Sequence, residues 1–502
     1  MPVSPNVILI CSDQHRASAM GVAGNPVCRT PALDRLAAQG VRFDRCFSPN
    51  PVCAPARASL LTGANTRRHG VRRNGTALRR DLPTLADVFA GAGYRTAAVG
   101  KLHLTPEQAG VQAAPFYGFQ ELAYCEDTKI GPYLDWALRE FPEHEGYLLG
   151  ACYNLPPHDA YWQGRRDLRE LSLAMRKQHV LPLEISNTCN WGFGHVSPLP
   201  EAAAHSAWIT DRAVDMIHRT PPDKPLFLWV GYVDPHNPFA PPRSYAERYV
   251  PEQVDARLKR EGEEAAFPSA MRGCRPYYDR FTERDWQTLR ALYYGQVEFM
   301  DAQIGRLLAA AEERLDMRNT IIVYTADHGE HLGDHGIAGK SCYHYDAGIR
   351  VPLLMRWDGR WTANAASDDM LELTDLMPTL LAATGIPAPA PLDGLCFAPL
   401  LEGGRPERRR EHVFIESYAG APEDRTPAPL TWARTIRSDR YRVTFYPESG
   451  EGELYDLAED PDEFRNRWSD PACREIRAEH RRMLCDRLIL QDFPLPPQAF
   501  GV

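Results

Sequence analysis

The run Cys53-Ala54-Pro55-Ala56-Arg57, continued by Ala58-Ser59-Leu60-Leu61-Thr62-Gly63, places a thiol, a fixed-φ proline and an arginine at the head of an apolar segment. Pro55 suits a first helical turn, where its missing N–H costs nothing, and Gly63 suits the end of that helix. Cys53 therefore falls near a helix N-terminus, where free N–H groups and the dipole favour negative charge. Arg57, one turn on, shares its face and can grip an anionic oxygen. The plain alternative is a half-buried structural cysteine.

Further groups able to carry chemistry recur just behind apolar runs. Asp13 and Gln14 follow Asn6–Ser12, and Lys101 and His103 follow residues 94–99. Asp234 and His236 follow residues 225–233, and Asp327 and His328 follow Thr320–Ala326. Two carboxylates neutralise a divalent cation and a neutral imidazole adds affinity without charge, so Asp13, Asp327 and His328 are candidate ligands. Gln14 offers a carbonyl oxygen. A cation so held can polarise an ester oxygen. Taken singly, a polar turn, a solvated lysine or a structural histidine explains each of these residues as well.

The elements that must position these groups are legible as a pattern. Residues 6–12 are almost continuously apolar, as in a strand buried on both faces. Thr30 as N-cap, Pro31 at the first position and Gly40 past the end mark a helix. Residues 82–92, 201–218 and 285–314 also read as helices, and residues 94–99, 225–233 and 320–326 as strands. The expected fold is α/β, a large and mainly parallel sheet sandwiched by helices, with ligands gathering at the C-terminal strand ends. A catalytic domain is expected over residues 1–388, with loop-rich pocket walls near 153–200 and 235–278. Residues 389–502 read as a smaller C-terminal subdomain, with antiparallel strands at 432–438 and 441–446, a helix at 472–490 and an apolar tail at 493–502. That tail either extends onto a second copy in a homo-oligomer or is free.

The stretch from Cys53 to Gly63 resembles the signature of the type I sulfatases of the alkaline phosphatase superfamily. Thr325-Ala326-Asp327-His328-Gly329-Glu330 is similar to that family's second metal motif, and Gly100-Lys101-Leu102-His103 to its Gly-Lys-x-His element. Asp234-Pro235-His236-Asn237-Pro238, and Gly333-Asp334-His335-Gly336 leading to Lys340, resemble its leaving-group elements. The stretch from Glu453 to Pro461 resembles its C-terminal subdomain. The resemblance implies an alkaline phosphatase-like fold and oxidation of Cys53 to formylglycine by a dedicated maturation enzyme. It implies one divalent cation held by Asp13, Gln14, residue 53, Asp327 and His328, with calcium the first choice and manganese the second. The reaction implied is hydrolysis of a small-molecule sulfate monoester to alcohol and sulfate through a covalent sulfo-enzyme intermediate. In that scheme Arg57 holds the nucleophile, Lys101 holds a nonbridging oxygen, and His103 is the base that breaks down the intermediate. His236 and Lys340 assist the leaving alcohol, and Asn74 binds substrate or orients the nucleophile. His331, Asp334 and His335 belong to the same motif, with a structural role expected.

The sequence departs from the commonest pattern of the family. Asp13-Gln14 replaces Asp-Asp and Asp327-His328 replaces Asp-Asn, a combination that looks like the branch holding choline sulfatases and phosphonate monoester hydrolases. Ala56 stands where many members have serine. Hydrolysis of phosphonate monoesters or phosphodiesters is thus the nearest rival reading. In phosphonate hydrolases the Lys-x-His element is typically replaced by uncharged residues, so Lys101 and His103 favour the sulfatase. A rival of another class, a catalytically silent anion-binding protein, requires an unoxidised Cys53 or an empty metal site.

Bulk properties narrow the partners. The chain has 502 residues, 44% hydrophobic and 25% charged, with a net charge of −9, which points away from nucleic acid and anionic membranes. No apolar run approaches the ~20 residues of a membrane span. The first residues read as a strand rather than an export signal, and the twelve cysteines, with no Cys-x-x-Cys pair, read as reduced thiols of a cytoplasmic protein. One stretch opposes the acidic balance. Between Arg45 and Arg80 there is no Asp or Glu, but there are Arg57, Arg67, Arg68, Arg72, Arg73 and Arg79. These form either a solvated surface or a cationic rim that draws in anionic substrates. Choline, aryl and sugar alcohols all stay open as leaving groups. Trp136, Trp162 and Trp191 could face a quaternary ammonium, core packing being the plainer use of each.

Overall fold

The computed structural model describes residues 4–106, 116–152, 170, 194–272, 278–389, 392–419 and 431–490. Nine strands form the main sheet: β1 Asn6–Ser12, β2 Val41–Phe47, β3 Arg95–Gly100, β4 Glu121–Tyr124, β5 Leu226–Gly231, β6 Thr320–Ala326, β7 Arg350–Arg356, β8 Ala365–Ser367 and β9 Leu371–Glu372. Their order is β4-β3-β5-β1-β6-β7-β2-β8, with β9 beside β2. From β4 to β6 all neighbours run parallel, whereas β7 is antiparallel to both β6 and β2. The sequence reading covers β1, β3, β5 and β6 but leaves out β7, although its RVPLLMR is apolar between the two arginines. It misses β4, which has four residues, and β2, whose VRFDRCF alternates charge with bulk.

The unbroken apolar run of β1 has a direct cause. Val7, Leu9 and Cys11 enter the core on one side of the sheet, and Ile8 and Ile10 enter the core on the other. On the Ile8 side lie Ile209, Ala213 and Met216 of the helix His205–His218, and Met300, Ile304 and Leu307 of the helix Glu283–Arg314. On the Val7 side lie Leu60, Leu85 and Leu380, each from a different helix.

Some local expectations are altered by tertiary contacts. The helix α1, Pro31–Gln39, does follow Thr30, but the Thr30 side chain makes no cap bond; it accepts from Gly21 N and donates to Asp34 Oδ1. The capping carboxylate is Asp301, which accepts from Ala32 N and Leu33 N at 2.9 Å each. The helix expected at 82–92 starts later, at Leu85, where Thr84 and Asp87 form a capping box. The one expected at 201–218 breaks at Ala204 into a 3₁₀ turn and a helix.

Four more strands form the antiparallel C-terminal sheet: β10 His412–Ala419, β11 Thr431–Ser438, β12 Tyr441–Phe445 and β13 Gly452–Asp456. Leu484 of the helix Arg474–Leu490 packs on its apolar face with Phe414, Ile436, Val443 and Leu454. Its other face meets the main body, where the His344 ring hydrogen-bonds Thr435 Oγ1 at 2.7 Å and Ser417 Oγ at 2.8 Å. Arg442 is buried there, ion-paired to Glu463 and Glu453 and stacked on Tyr345 and Tyr455. Trp136 packs against Tyr133 and Phe141. Trp162, Trp191, the tail 493–502 and most of the segment 153–200 lie outside the described residues. Among the described residues ten cysteines are free, and no helix is long and apolar enough to cross a membrane.

Candidate active site

The loops after the central strands are tied to one another through the backbone. Asp13 N donates to Asp234 O at 3.3 Å, Asp327 N to Ser12 O at 3.2 Å, and Lys101 N to Gly231 O at 2.8 Å. The last contact requires glycine at position 100. Its φ is +79°, and a Cβ there would stand 2.0 Å from Gly231 O. Parallel pairing thus delivers four loops to one edge, and α2, Cys53–Thr62, points its N-terminus at them. Cys53 is the first residue of α2, Gly63 closes it in the left-handed region, and all ten residues are buried. Asn74 Oδ1 accepts from Ala54 N at 3.0 Å and so fixes the start of the helix.

Around Cys53 Sγ stand Lys340 Nζ at 2.7 Å, His328 Nε2 at 3.3 Å and Asp13 Oδ1 at 3.7 Å, and His103 hydrogen-bonds the same sulfur. Arg57 donates from Nε to Asp327 Oδ2 at 2.8 Å, from Nη2 to Asp13 Oδ2 at 3.3 Å and from Nη1 to Lys101 O at 2.7 Å. Lys101 Nζ lies 2.6 Å from Asp13 Oδ2. Ligand atoms of Asp13, Cys53, Asp327 and His328 all fall within 4.8 Å of one another. A ring nitrogen of His236, Cys53 Sγ and a carboxylate oxygen of Asp127 form a second such group.

Burial penalises every charge here, and the neighbours decide which groups keep theirs. For Asp13, burial is outweighed by the ammonium groups of Lys101 and Lys340, which hold the carboxyl well below its usual range. For Cys53, burial is outweighed by Lys101, Lys340 and His328, which pull the thiol well down. Asp327 goes the other way: burial and the Asp13 carboxylate raise it despite Arg57. Two buried carboxylates in conflict are what a divalent cation relieves.

The donor set fits such an ion. Gln14 Oε1 is buried with no hydrogen-bond partner, while Gln14 Nε2 donates to Glu330. His328 Nδ1–H donates to Gly329 O at 2.9 Å, which leaves the Nε2 lone pair for a metal. Asp13 and Asp327 supply carboxylate oxygens, and Asp327 Oδ1 is steered by Gln14 N and His328 N.

Two residues escaped the sequence reading. Asp127 holds Lys101 Nζ with both oxygens at 2.5 Å. Its only signal was a place three residues past the short strand β4. Glu330 accepts from Gln14 Nε2, Leu332 N and Gly339 N, so it braces the loop that leads to Lys340. The neighbouring polar residues are structural. Asp334 pairs with Arg16 and Arg290, His335 with Glu263, and His331 donates to Gly339 O. The acid-free arginine stretch finds partners elsewhere in the chain. Arg68 pairs with Asp393 and Arg79 with Asp81, and Arg80 stacks on Tyr117; of the seven arginines at 57–80, Arg57 is the one placed in the site.

A mainly parallel sheet that gathers three aspartates, three histidines, two lysines and an arginine around one helix-terminal thiol defines an anionic-ester hydrolase of the alkaline phosphatase superfamily. Residues 5–386 match the sulfatase family model, and residues 333–488 match that of the N-sulphoglucosamine sulphohydrolase C-terminal region. The chain belongs to the sulfatase family and is a sulfuric ester hydrolase. It is 29% identical over 482 residues to an arylsulfatase of Clostridium perfringens, covering 92% of this chain and 90% of that one. It is 28% identical over 502 residues to the multifunctional alkaline phosphatase superfamily protein PehA of Trinickia caryophylli, covering 93% and 92%. Among solved structures, the phosphonate monoester hydrolase of Agrobacterium radiobacter superposes with a TM-score of 0.79 at 25% identity, covering 97% of this chain and 96% of that one. A 2-O GAG sulfatase shares the fold with a TM-score of 0.72 at 22% identity, covering 97% and 92%.

Proposed function

We propose that the enzyme hydrolyses small-molecule sulfate monoesters with residue 53 as nucleophile, after a maturation enzyme has oxidised the Cys53 thiol to formylglycine. The observation that carries this reading is the position of Cys53 Sγ, at a helix N-terminus and within 3.7 Å of Asp13, His328 and Lys340. Sγ stands in for a hydroxyl oxygen of the hydrated aldehyde. That hydrate supplies one hydroxyl to attack sulfur and a second whose deprotonation expels sulfate.

Asp13, Gln14, Asp327 and His328 hold one divalent cation in this proposal, calcium before manganese because oxygen donors dominate. When bound, it polarises the ester and acidifies the attacking hydroxyl. The chain's own side chains do the rest. Arg57, fixed by both aspartates, orients the nucleophile. Lys101 and Lys340 offset charge on the nonbridging oxygens as it shifts in the transition state. His236 donates its Nδ1–H to Asn237 O at 2.6 Å, so its Nε2 is the nitrogen left to carry a proton to the leaving alkoxide, with Lys340 as the second donor. His103, already bonded at residue 53, takes the proton of the second hydroxyl. Asn74 keeps the nucleophile's helix in place.

The test combines the mass of the residue-53 peptide, from protein made beside a maturation enzyme, with turnover of 4-nitrophenyl sulfate. An aldehyde mass with turnover is expected. A peptide that keeps its thiol mass in a protein without turnover supports the silent binder instead. The similarity to phosphonate monoester hydrolases, two of which superpose with TM-scores of 0.79 and 0.78, favours a second reading with the same nucleophile. Lys101 and His103 weigh against it. Aryl sulfate should be cleaved faster than the matching aryl phosphonate monoester, and the reverse order would exchange the two readings.

A further inference from the structure

Glu330 is a buried carboxylate that no catalytic step uses, and it lies between two parts of the site. Its Oε1 accepts from Leu332 N at 2.8 Å and from Gly339 N at 2.5 Å. Its Oε2 accepts from Gln14 Nε2. Two backbone N–H groups hold one oxygen, so the carboxylate is fixed in rotation and its other oxygen stays aimed at Gln14.

The main chain of Gln14 is set independently of its amide. Its φ is +63°, in the left-handed region that residues with a β-carbon rarely adopt. Gln14 N donates to Asp327 Oδ1 at 3.0 Å, and Tyr293 Oη donates to Gln14 O at 2.8 Å. What is left to decide is which end of the side-chain amide faces which way. The two ends are alike in shape and opposite in chemistry, one a donor and one an acceptor. Glu330 Oε2 and, at 3.4 Å, Asn237 Oδ1 present acceptors to it. The NH2 group must therefore lie on their side. Oε1 is turned to the other end, where it is buried with no hydrogen-bond partner. A bare buried acceptor costs free energy that a bound cation offsets.

We propose that Glu330 is a positioning residue for the divalent cation. By holding the Gln14 amide in one orientation it presents Oε1 as a ligand and keeps the NH2 group away from the cation. The proposal rests on the metal-assisted reading above. The carboxylate also holds Gly339 N, and the next residue, Lys340, reaches Cys53 Sγ with Nζ at 2.7 Å. The cation's seat and the segment that brings in Lys340 thus share one anchor. In Glu330→Gln the new amide both donates and accepts, so both orientations of Gln14 become allowed, and one of them turns a donor toward the cation.

The test is calcium binding to chelator-treated mature enzyme by isothermal titration calorimetry, with manganese run beside it. Wild type should bind one cation. Glu330→Gln should weaken that binding about 10- to 100-fold, the usual effect of losing a group that orients a metal ligand. Gln14→Ala removes the ligand oxygen itself and should weaken binding by as much or more. Adding Glu330→Gln to Gln14→Ala should then cause no further loss, because no amide remains to be oriented. Additive losses would mean that Glu330 acts on the cation by another route, and would overturn the assignment. If Glu330→Gln alone fails to fold, the exchanged pair Gln14→Glu with Glu330→Gln carries the test. That pair keeps a carboxylate bonded to an amide across the same contact and turns a carboxylate oxygen toward the cation. It should bind at least as tightly as wild type, and weaker binding overturns the proposal. A wild type that binds neither cation overturns the metal site and this role together. A wild type that binds, beside a Glu330→Gln variant that binds equally well, removes the role of Glu330 alone.

Discussion

Asp127 grips the Lys101 ammonium with both carboxylate oxygens at 2.5 Å, while the same ammonium stands 2.6 Å from Asp13 Oδ2. One buried cation thus joins the loop after β4 to the loop after β1. An ammonium held on two sides cannot swing out to solvent, so its charge stays aimed at the space in front of residue 53. Preorganised charge of this kind is what stabilises a transition state without reorganisation at the moment of reaction.

Asp127→Ala leaves Lys101 tethered by Asp13 alone. The expected result is a kcat/KM lower by about 10- to 100-fold, or roughly 1.4–2.7 kcal/mol of transition-state energy. The loss should lie mainly in kcat, with Asp127→Asn milder because it keeps one acceptor. Steady-state kinetics on an aryl sulfate check this, and unchanged kinetics would remove Asp127 from the catalytic assembly.

Chelation should abolish activity and lower the melting temperature together, because Asp13 and Asp327 are left facing each other in a buried site. Calcium or manganese at a hundred times its Kd should restore about 2.7 kcal/mol of stability. Calorimetry with and without the cation measures it. In Asp327→Ala the cation-dependent part should vanish, and an unaltered cation response in that variant would contradict the proposed ligand set.

Asp301 provides a pH-dependent contribution far from the catalytic centre. Burial, only partly offset by the N–H groups of Ala32 and Leu33, pushes its carboxyl up to about 7. In the unfolded chain it releases its proton near the ordinary ~3.9. Between those values the native state binds more protons than the unfolded one, so stability falls as pH rises from about 4 to 7 and then levels off. Urea denaturation across that range should show a slope in the wild type, approaching about 1.4 kcal/mol per pH unit at its steepest, that is flattened in Asp301→Asn.

Arg442 is held within the C-terminal region by Glu453, Glu463 and the Tyr455 ring, and it meets the main body at the Tyr345 ring. Arg442→Met strands two buried carboxylates and should cost about 3–5 kcal/mol. Adding Glu463→Gln should recover part of that loss. Chemical denaturation of the two variants distinguishes an uncompensated charge from simple loss of packing, for which the second substitution would give no recovery.

Much of the site was legible before folding because its residues sit in short motifs beside strong patterns. Cys53 to Gly63 carries its own helix signals, and the apolar runs ending at Ser12, Val99, Val233 and Ala326 announce strands whose ends must hold ligands. Asp127 was hidden because β4 is too short to show a period. Thr30 does stand at the N-cap position of α1, but the acceptor of the free N–H groups, Asp301, is invisible to a local pattern because it is 268 residues from Leu33. The arginine stretch around the signature looked uncompensated in part because Asp393, the partner of Arg68, lies 325 residues away.

The amino-acid order alone determined which elements form and which residues lie at their ends, since hydrophobic periodicity and capping chemistry act over a few neighbours. Only the tertiary structure decided which of those ends share a charge environment. Parallel pairing of β1 with β5 and β6 brings together residues hundreds of positions apart, and burial then gives each carboxylate, ammonium and thiol a proton affinity that no local pattern encodes.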